Sequence, residues 1–313
     1  MTKNAEKYEH LVISGGGISG FYLYNALRDS NLRGEWNIKN IKSIHAVSAG
    51  TVIAAIIALR YDWSITDEYF ISRPLINLFK WENLSMMSVF YNCGIIDRTV
   101  FVDFLRPLFA GAIFENSAVD IDIDITMHDF YEKTGISLHF YCTDISIFEK
   151  IEMSPIKTPD LSVIDAIYRS CTIPFIMCPQ RGSHITKNNV TESSEREQIS
   201  SPPRKRRIAP VYIDGYLKTN YPSLDCINTG ANEDNILGFR LNTEYNDDIN
   251  NMIDLAKSII FAPWNTVYQL KHEYVIEENY FNTFDDLYLF FKSATRRRYV
   301  IRGICERDNA GES

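Results

Sequence analysis

Ile41–Val47 is a β-prone run, a single serine follows at position 48, and Ala49–Leu59 is small and apolar with strong helix formers. That order predicts a sharp strand-to-helix turn, which holds the Ser48 hydroxyl out into a cleft. Ala46, Ala49 and Gly50 are small, as they must be where strand and helix backbones come close together. Ser48 also falls at the start of the helix, where unpaired N–H groups favour developing negative charge.

Two further features share this frame. Leu11-Val12-Ile13 reads as a short buried strand, and the loop Gly15-Gly16-Gly17-Ile18-Ser19-Gly20 leads from it into a helix beginning near Phe21. Much later, Val211-Tyr212-Ile213 reads as a strand that ends at Asp214-Gly215. The early β-loop-α-β-α order predicts a parallel sheet with helices on both faces.

Further strands are expected at Leu138–Thr143 and Ile236–Leu241. Helices are expected over Val100–Phe109 with Asp97 as cap, over Ser162–Ser170, over Ile249–Val267 with a break at Pro263, and over Phe284–Ala294. Residues 181–209 are polar and lack apolar periodicity, so they read as a mobile insertion. A chain of 313 residues has room for one large α/β domain. Residues 1–225 are expected to carry the catalytic machinery, with 226–313 completing the same domain.

Composition narrows the function classes. The net charge of −8 argues against a general nucleic-acid binder. None of the six cysteines forms a C-x-x-C pair, which points to buried free thiols rather than zinc or a disulfide framework. The amino terminus lacks a signal-peptide core, and the longest apolar stretch, Val52–Leu59, is too short to span a bilayer. These features lead to the expectation of a cytoplasmic protein that touches membranes at most peripherally.

A serine hydroxyl needs a base before it attacks a carbonyl carbon. None of the six histidines sits in a loop motif that announces this role. Asp214 is the better candidate, because the end of a buried strand would place its carboxylate near the serine. Gly15, Gly16 and Gly17 offer consecutive backbone N–H groups for an oxyanion, backed by the positive end of the following helix. A lone serine before a helix is often an N-cap, and a lone Asp-Gly is often a turn. The information lies in the order: glycine loop, serine elbow about thirty residues later, and Asp-Gly after a later strand.

With those residues assembled, the sequence resembles the patatin-like phospholipase family. The resemblance is carried by Gly15–Gly20, by Ser48 with Ala49 and Gly50, and by Asp214-Gly215. Cys142-Thr143-Asp144 and Ala166–Pro174 support it, and it spans roughly Leu11 to Pro222. It implies a three-layer α/β/α sandwich with a mostly parallel central sheet. It further implies a lipid acyl hydrolase with Ser48 as nucleophile, Asp214 as general base and Gly15, Gly16 and Gly17 as oxyanion donors. Gly20, Ala46, Gly50 and Gly215 are supporting positions, and no metal or organic cofactor is implied. The chain departs from the family's usual pattern at Ala46, Ser19 and Tyr216, and none of these changes removes a reacting group.

Two other readings compete. A non-catalytic lipid-binding protein would use the same fold without turnover. A dinucleotide- or flavin-binding oxidoreductase would use Gly15-x-Gly17-x-x-Gly20, but it needs an acidic residue ending the second strand, and Gly34–Lys39 does not supply one convincingly. The basic run Arg204, Lys205, Arg206, Arg207 reads as an anionic-lipid contact, a nuclear-localisation signal or a solvated loop. Arg296-Arg297-Arg298 is a second basic cluster open to the lipid reading.

Overall fold

A computed structural model describes residues 6–78, 90–113, 123–182, 209–242, 267–277 and 284–302. Its strands are β1 (His10–Ile13), β2 (Ser43–Val47), β3 (Ser137–Asp144), β4 (Glu149–Met153), β5 (Gln180–Arg181), β6 (Val211–Asp214), β7 (Ile236–Asn242) and β8 (Glu273–Glu277). The principal helices are α1 (Gly20–Leu32), α2 (Ala49–Ala58), α3 (Trp63–Ser72), α4 (Arg98–Ile113) and α5 (Met127–Thr134). They continue with α6 (Val163–Cys171), α7 (Ser223–Asn228), α8 (Phe284–Lys292) and α9 (Ala294–Arg302).

All eight strands form one sheet in the order β5-β6-β3-β2-β1-β7-β8, with β4 also paired to β3. The stretch β3-β2-β1-β7-β8 is parallel throughout. Strand order reverses at β1, which has β2 on one side and β7 on the other. Crevices form at such reversals, beyond the carboxyl ends of the strands.

The two faces can be told apart along β1. Leu11 and Ile13 join the main apolar core with Ile44, Ala46, Phe140 and residues of α1, α2 and α6. Val12 points the other way, into a smaller cluster with Cys226 of α7, Tyr221, Ile236 and Leu270. Helices therefore cover both faces, as alternating side chains on a doubly covered sheet require.

The aspartate strand reaches the serine by a route that differs from a simple parallel neighbour. β2 pairs with β3 as far as Tyr141, and β6 pairs with β3 from Cys142 onward, antiparallel. β4 pairs with Phe140–Asp144 and so occupies the opposite edge of β3. β2 and β6 thus run head-on along one edge of β3, and their carboxyl ends meet. Ser48 follows β2, and Asp214 ends β6.

Several expected boundaries shift. The second strand begins at Ser43 rather than Ile41, and the α6 helix runs one residue later than expected, with Ser162 as its N-cap. The expected Phe284–Ala294 helix is α8, which stops at Lys292 and is followed directly by α9. Arg181, expected in the insertion, belongs to edge strand β5, and residues 183–208 lie outside the described residues. The Arg204–Arg207 run and residues 249–266 of the expected helix also lie outside them.

Arg297 corrects the reading of the second basic cluster. Its side chain is buried and donates to the carbonyl oxygens of Ile71, Phe290 and Phe291 at 2.9–3.0 Å. A guanidinium here satisfies carbonyls near the end of α8, so this cation serves the fold and is not available to lipid head groups. Among the described cysteines, Cys142, Cys171 and Cys226 are buried free thiols as expected, whereas Cys93 is exposed. Among the described residues no helix is long and apolar enough to cross a membrane.

Candidate active site

Ser48 caps α2 with φ +51° and ψ −131°, a backbone conformation that non-glycine residues rarely adopt. Strain of this kind, about 1–3 kcal/mol, survives only where neighbours enforce it. Here the neighbours can be named. The Ser48 N–H donates to Ser170 Oγ at 2.9 Å, and Ser170 Oγ donates to the Tyr141 carbonyl at 2.6 Å. Thr51 Oγ1 donates to the Ser48 carbonyl at 2.7 Å. Close packing completes the turn: a Cβ on Gly50 would lie 2.5 Å from the Ser14 carbonyl oxygen, so only glycine fits where α2 crosses the end of β1.

No local pattern in the sequence marks Ser170 as a site residue, because its role depends on the end of α6 docking against the elbow. Ser170→Ala deprives a buried N–H of its acceptor, and denaturant unfolding should show a loss of about 1–3 kcal/mol. Unchanged stability would show that the elbow holds without this link.

The Ser48 hydroxyl donates to Asp214 Oδ2 at 2.7 Å. Asp214 Oδ1 accepts the Tyr216 N–H at 2.8 Å, and the Asp214 N–H donates to the Thr172 carbonyl at 2.8 Å. The carboxyl is fully buried. Burial pushes its pKa up to about 7, partly opposed by the hydrogen bonds from Ser48 and Tyr216. The group is therefore a base strong enough to take a serine proton and acidic enough to return it near neutrality.

The glycine loop runs beside the serine. A Cβ on Gly15 would stand 3.1 Å from Ser48 Cβ and 2.8 Å from the ring of Tyr216. The bulky Tyr216 thus fills space that Gly15 leaves open. The Gly15 N–H is already committed to the Asn220 carbonyl at 3.0 Å, which corrects its expected place among three free donors. Among the described residues the Gly16 and Gly17 N–H groups meet no acceptor, and Gly17 takes φ +55°. Gly20 belongs to the same packing, since a Cβ there would lie 2.9 Å from Ala49 Cβ. Ala46 is buried in the main core, and Gly215 presses against the Tyr141 carbonyl.

None of the described histidines is hydrogen-bonded to Ser48 or Asp214. His45 lies on the far face of β2, stacked on His139 at 4.2 Å and bonded through Nδ1 to Tyr141 Oη at 2.9 Å. Burial drives its pKa well below the ordinary imidazole value. His184 lies outside the described residues. The dinucleotide alternative lacks its ribose ligand: β2 ends at Val47, with Ser48 next, and Glu35 is paired with Arg33 and bonded to Tyr274 of β8 rather than ending the second strand. Among the described residues no three His, Cys, Asp or Glu side chains converge as a metal site would require.

A family model described as patatin-like phospholipase matches residues 11–227. The chain belongs to the patatin-like phospholipase family. A curated viral relative, the probable lipid hydrolase 463L of Invertebrate iridescent virus 6, is 25% identical over 183 residues. That match covers 55% of this patatin-like chain and 56% of the viral protein, so it spans little more than half of either. Among solved structures, VipD from Legionella pneumophila aligns over 95% of this chain and 67% of its own, with TM-score 0.50 and 15% identity. Human GIVD cytosolic phospholipase A2 aligns over 76% of this chain and 43% of its own, with TM-score 0.42 and 10% identity. The VipD likeness bears on the fold of the patatin-like chain, a mixed α/β sheet with flanking helices.

Proposed function

We propose that this protein is a lipid acyl hydrolase, a carboxylic ester hydrolase of the phospholipase or lysophospholipase type. The observation that carries the reading is the 2.7 Å hydrogen bond from the strained, buried Ser48 hydroxyl to the buried Asp214 carboxylate. In the proposed cycle Asp214 takes the hydroxyl proton as Ser48 Oγ attacks the ester carbonyl carbon. The tetrahedral oxyanion is stabilised by the Gly16 and Gly17 N–H groups and by the start of the helix that follows. Collapse breaks the ester C–O bond, and protonated Asp214 returns the proton to the departing alcohol. Water, giving a proton to Asp214, then attacks acyl-Ser48; the acyl C–Oγ bond breaks, Asp214 returns the proton to Ser48 Oγ, and the fatty acid leaves.

We further assign residues 1–225 and 226–313 to one domain, because β7 and β8 extend the sheet that carries the site. The assay that tests the activity is fatty-acid release from phosphatidylcholine and lysophosphatidylcholine, read by mass spectrometry. Release above the uncatalysed rate is expected. Lipid binding without any release would instead favour the non-catalytic reading.

A further inference from the structure

Two exposed phenylalanines occupy backbone positions that suit glycine or asparagine. Phe148, in the turn between β3 and β4, has φ +57° and is 56% exposed. Phe175, just after Pro174, has φ +68° and is 59% exposed. Each is unfavourable twice over, in the left-handed region for a bulky residue and in water for an aromatic ring. Ile147, beside Phe148, is 57% exposed, and Ile145 in the same turn is exposed too. The turn does not need these side chains for its shape, since Asp144 Oδ1 already accepts from the Ser146 N–H and hydroxyl.

Both loops lean on the turn that carries Asp214. The Lys218 ammonium lies 3.8 Å from the centre of the Phe148 ring, and the Lys218 N–H donates to the Gly215 carbonyl at 2.9 Å. Phe175 follows three residues after Thr172, whose carbonyl accepts the Asp214 N–H. Ile95, also exposed, donates its N–H to the Ile176 carbonyl and extends the apolar character of the second loop.

We propose that these two loops form the surface by which the protein seats itself on a lipid bilayer. The inference rests on the lipid-ester reading of Ser48 and Asp214. Phe148, Ile147 and Phe175 enter the acyl boundary, and Lys218 meets the phosphate of a head group. Strain kept at exposed aromatic residues next to a candidate site is the pattern expected of a functional contact. A net charge of −8 opposes approach to an anionic membrane, which favours attachment carried mainly by apolar burial. Binding to zwitterionic vesicles that persists at high salt follows from this. Attachment through Arg204–Arg207 makes the opposite prediction, because charge attraction needs anionic lipid and is screened by salt.

The test uses full-length Ser48→Ala protein, so that binding is measured without hydrolysis. Phe148→Asn, Phe175→Asn and the double substitution are added to it, and co-sedimentation with phosphatidylcholine vesicles is measured at low and high salt. Each single substitution should weaken partitioning about tenfold, and the pair about a hundredfold. Melting temperatures should stay level or rise, since asparagine tolerates the left-handed region. Undiminished binding by the double variant overturns the proposal. So does binding that requires phosphatidylglycerol and vanishes at high salt. A parent that ignores all vesicles also overturns it and leaves the surface to a protein partner. These outcomes stand apart from the esterase reading, which is tested by fatty-acid release and by the reactivity of Ser48.

Discussion

Ser48→Ala protein is expected to release fatty acid no faster than the uncatalysed background, and Asp214→Asn protein about 10²–10⁴-fold more slowly than the parent. The two losses have different causes. Alanine removes the atom that would carry the acyl group. Asparagine keeps the shape of Asp214 and its acceptance of the Tyr216 N–H, but it cannot take a proton. The pair also separates in stability. Ser48→Ala strips the buried carboxylate of the donor now at 2.7 Å and should cost about 1–3 kcal/mol at pH 8. Asp214→Asn removes a buried charge and should leave the fold at least as stable. Residual turnover near the parental rate in either variant would contradict the assignment of a Ser–Asp pair.

Activity and this group's contribution to stability should move in opposite directions with pH. The base is the ionised form of Asp214, whose pKa is raised to about 7. kcat/KM should therefore climb about tenfold per pH unit on the acid side and level off above about pH 7. For stability the sign reverses. The carboxyl's pKa in the folded state lies above the ordinary value of 3.8, so folding retains a proton between 3.8 and about 7. The contribution is fully present below the lower value and is lost as pH rises through the upper one, on the order of 4 kcal/mol in all. Glu9, Glu35, Glu152 and Asp234 have lowered pKa values and act the other way. The difference in unfolding free energy between the parent and Asp214→Asn isolates the term. A flat difference from pH 4 to 8 would contradict it.

The parts of the site that were legible in the sequence are those with local causes. A glycine run after a buried strand, a serine between small residues before an apolar helix, and Asp-Gly after a strand each follow from short-range geometry. What was not legible depends on distant packing. Ser170 gains its role only when α6 meets the Ser48 elbow. The head-on meeting of β2 and β6 follows from pairing registers along β3, which no local pattern records. β4 and β8 carry several charged residues, and β5 is two residues long, so none shows the apolar run of an inner strand. The run at Arg296–Arg298 looked like an exposed charge cluster, because the burial of Arg297 requires the carbonyls of Ile71 and α8 to converge on it.

The most direct test of the central claim is labelling of the folded protein with a fluorophosphonate, with the modified peptide mapped by mass spectrometry. The account predicts a single adduct on Ser48, formed far more slowly in Asp214→Asn. An adduct on another serine, or no adduct on folded protein, would contradict it.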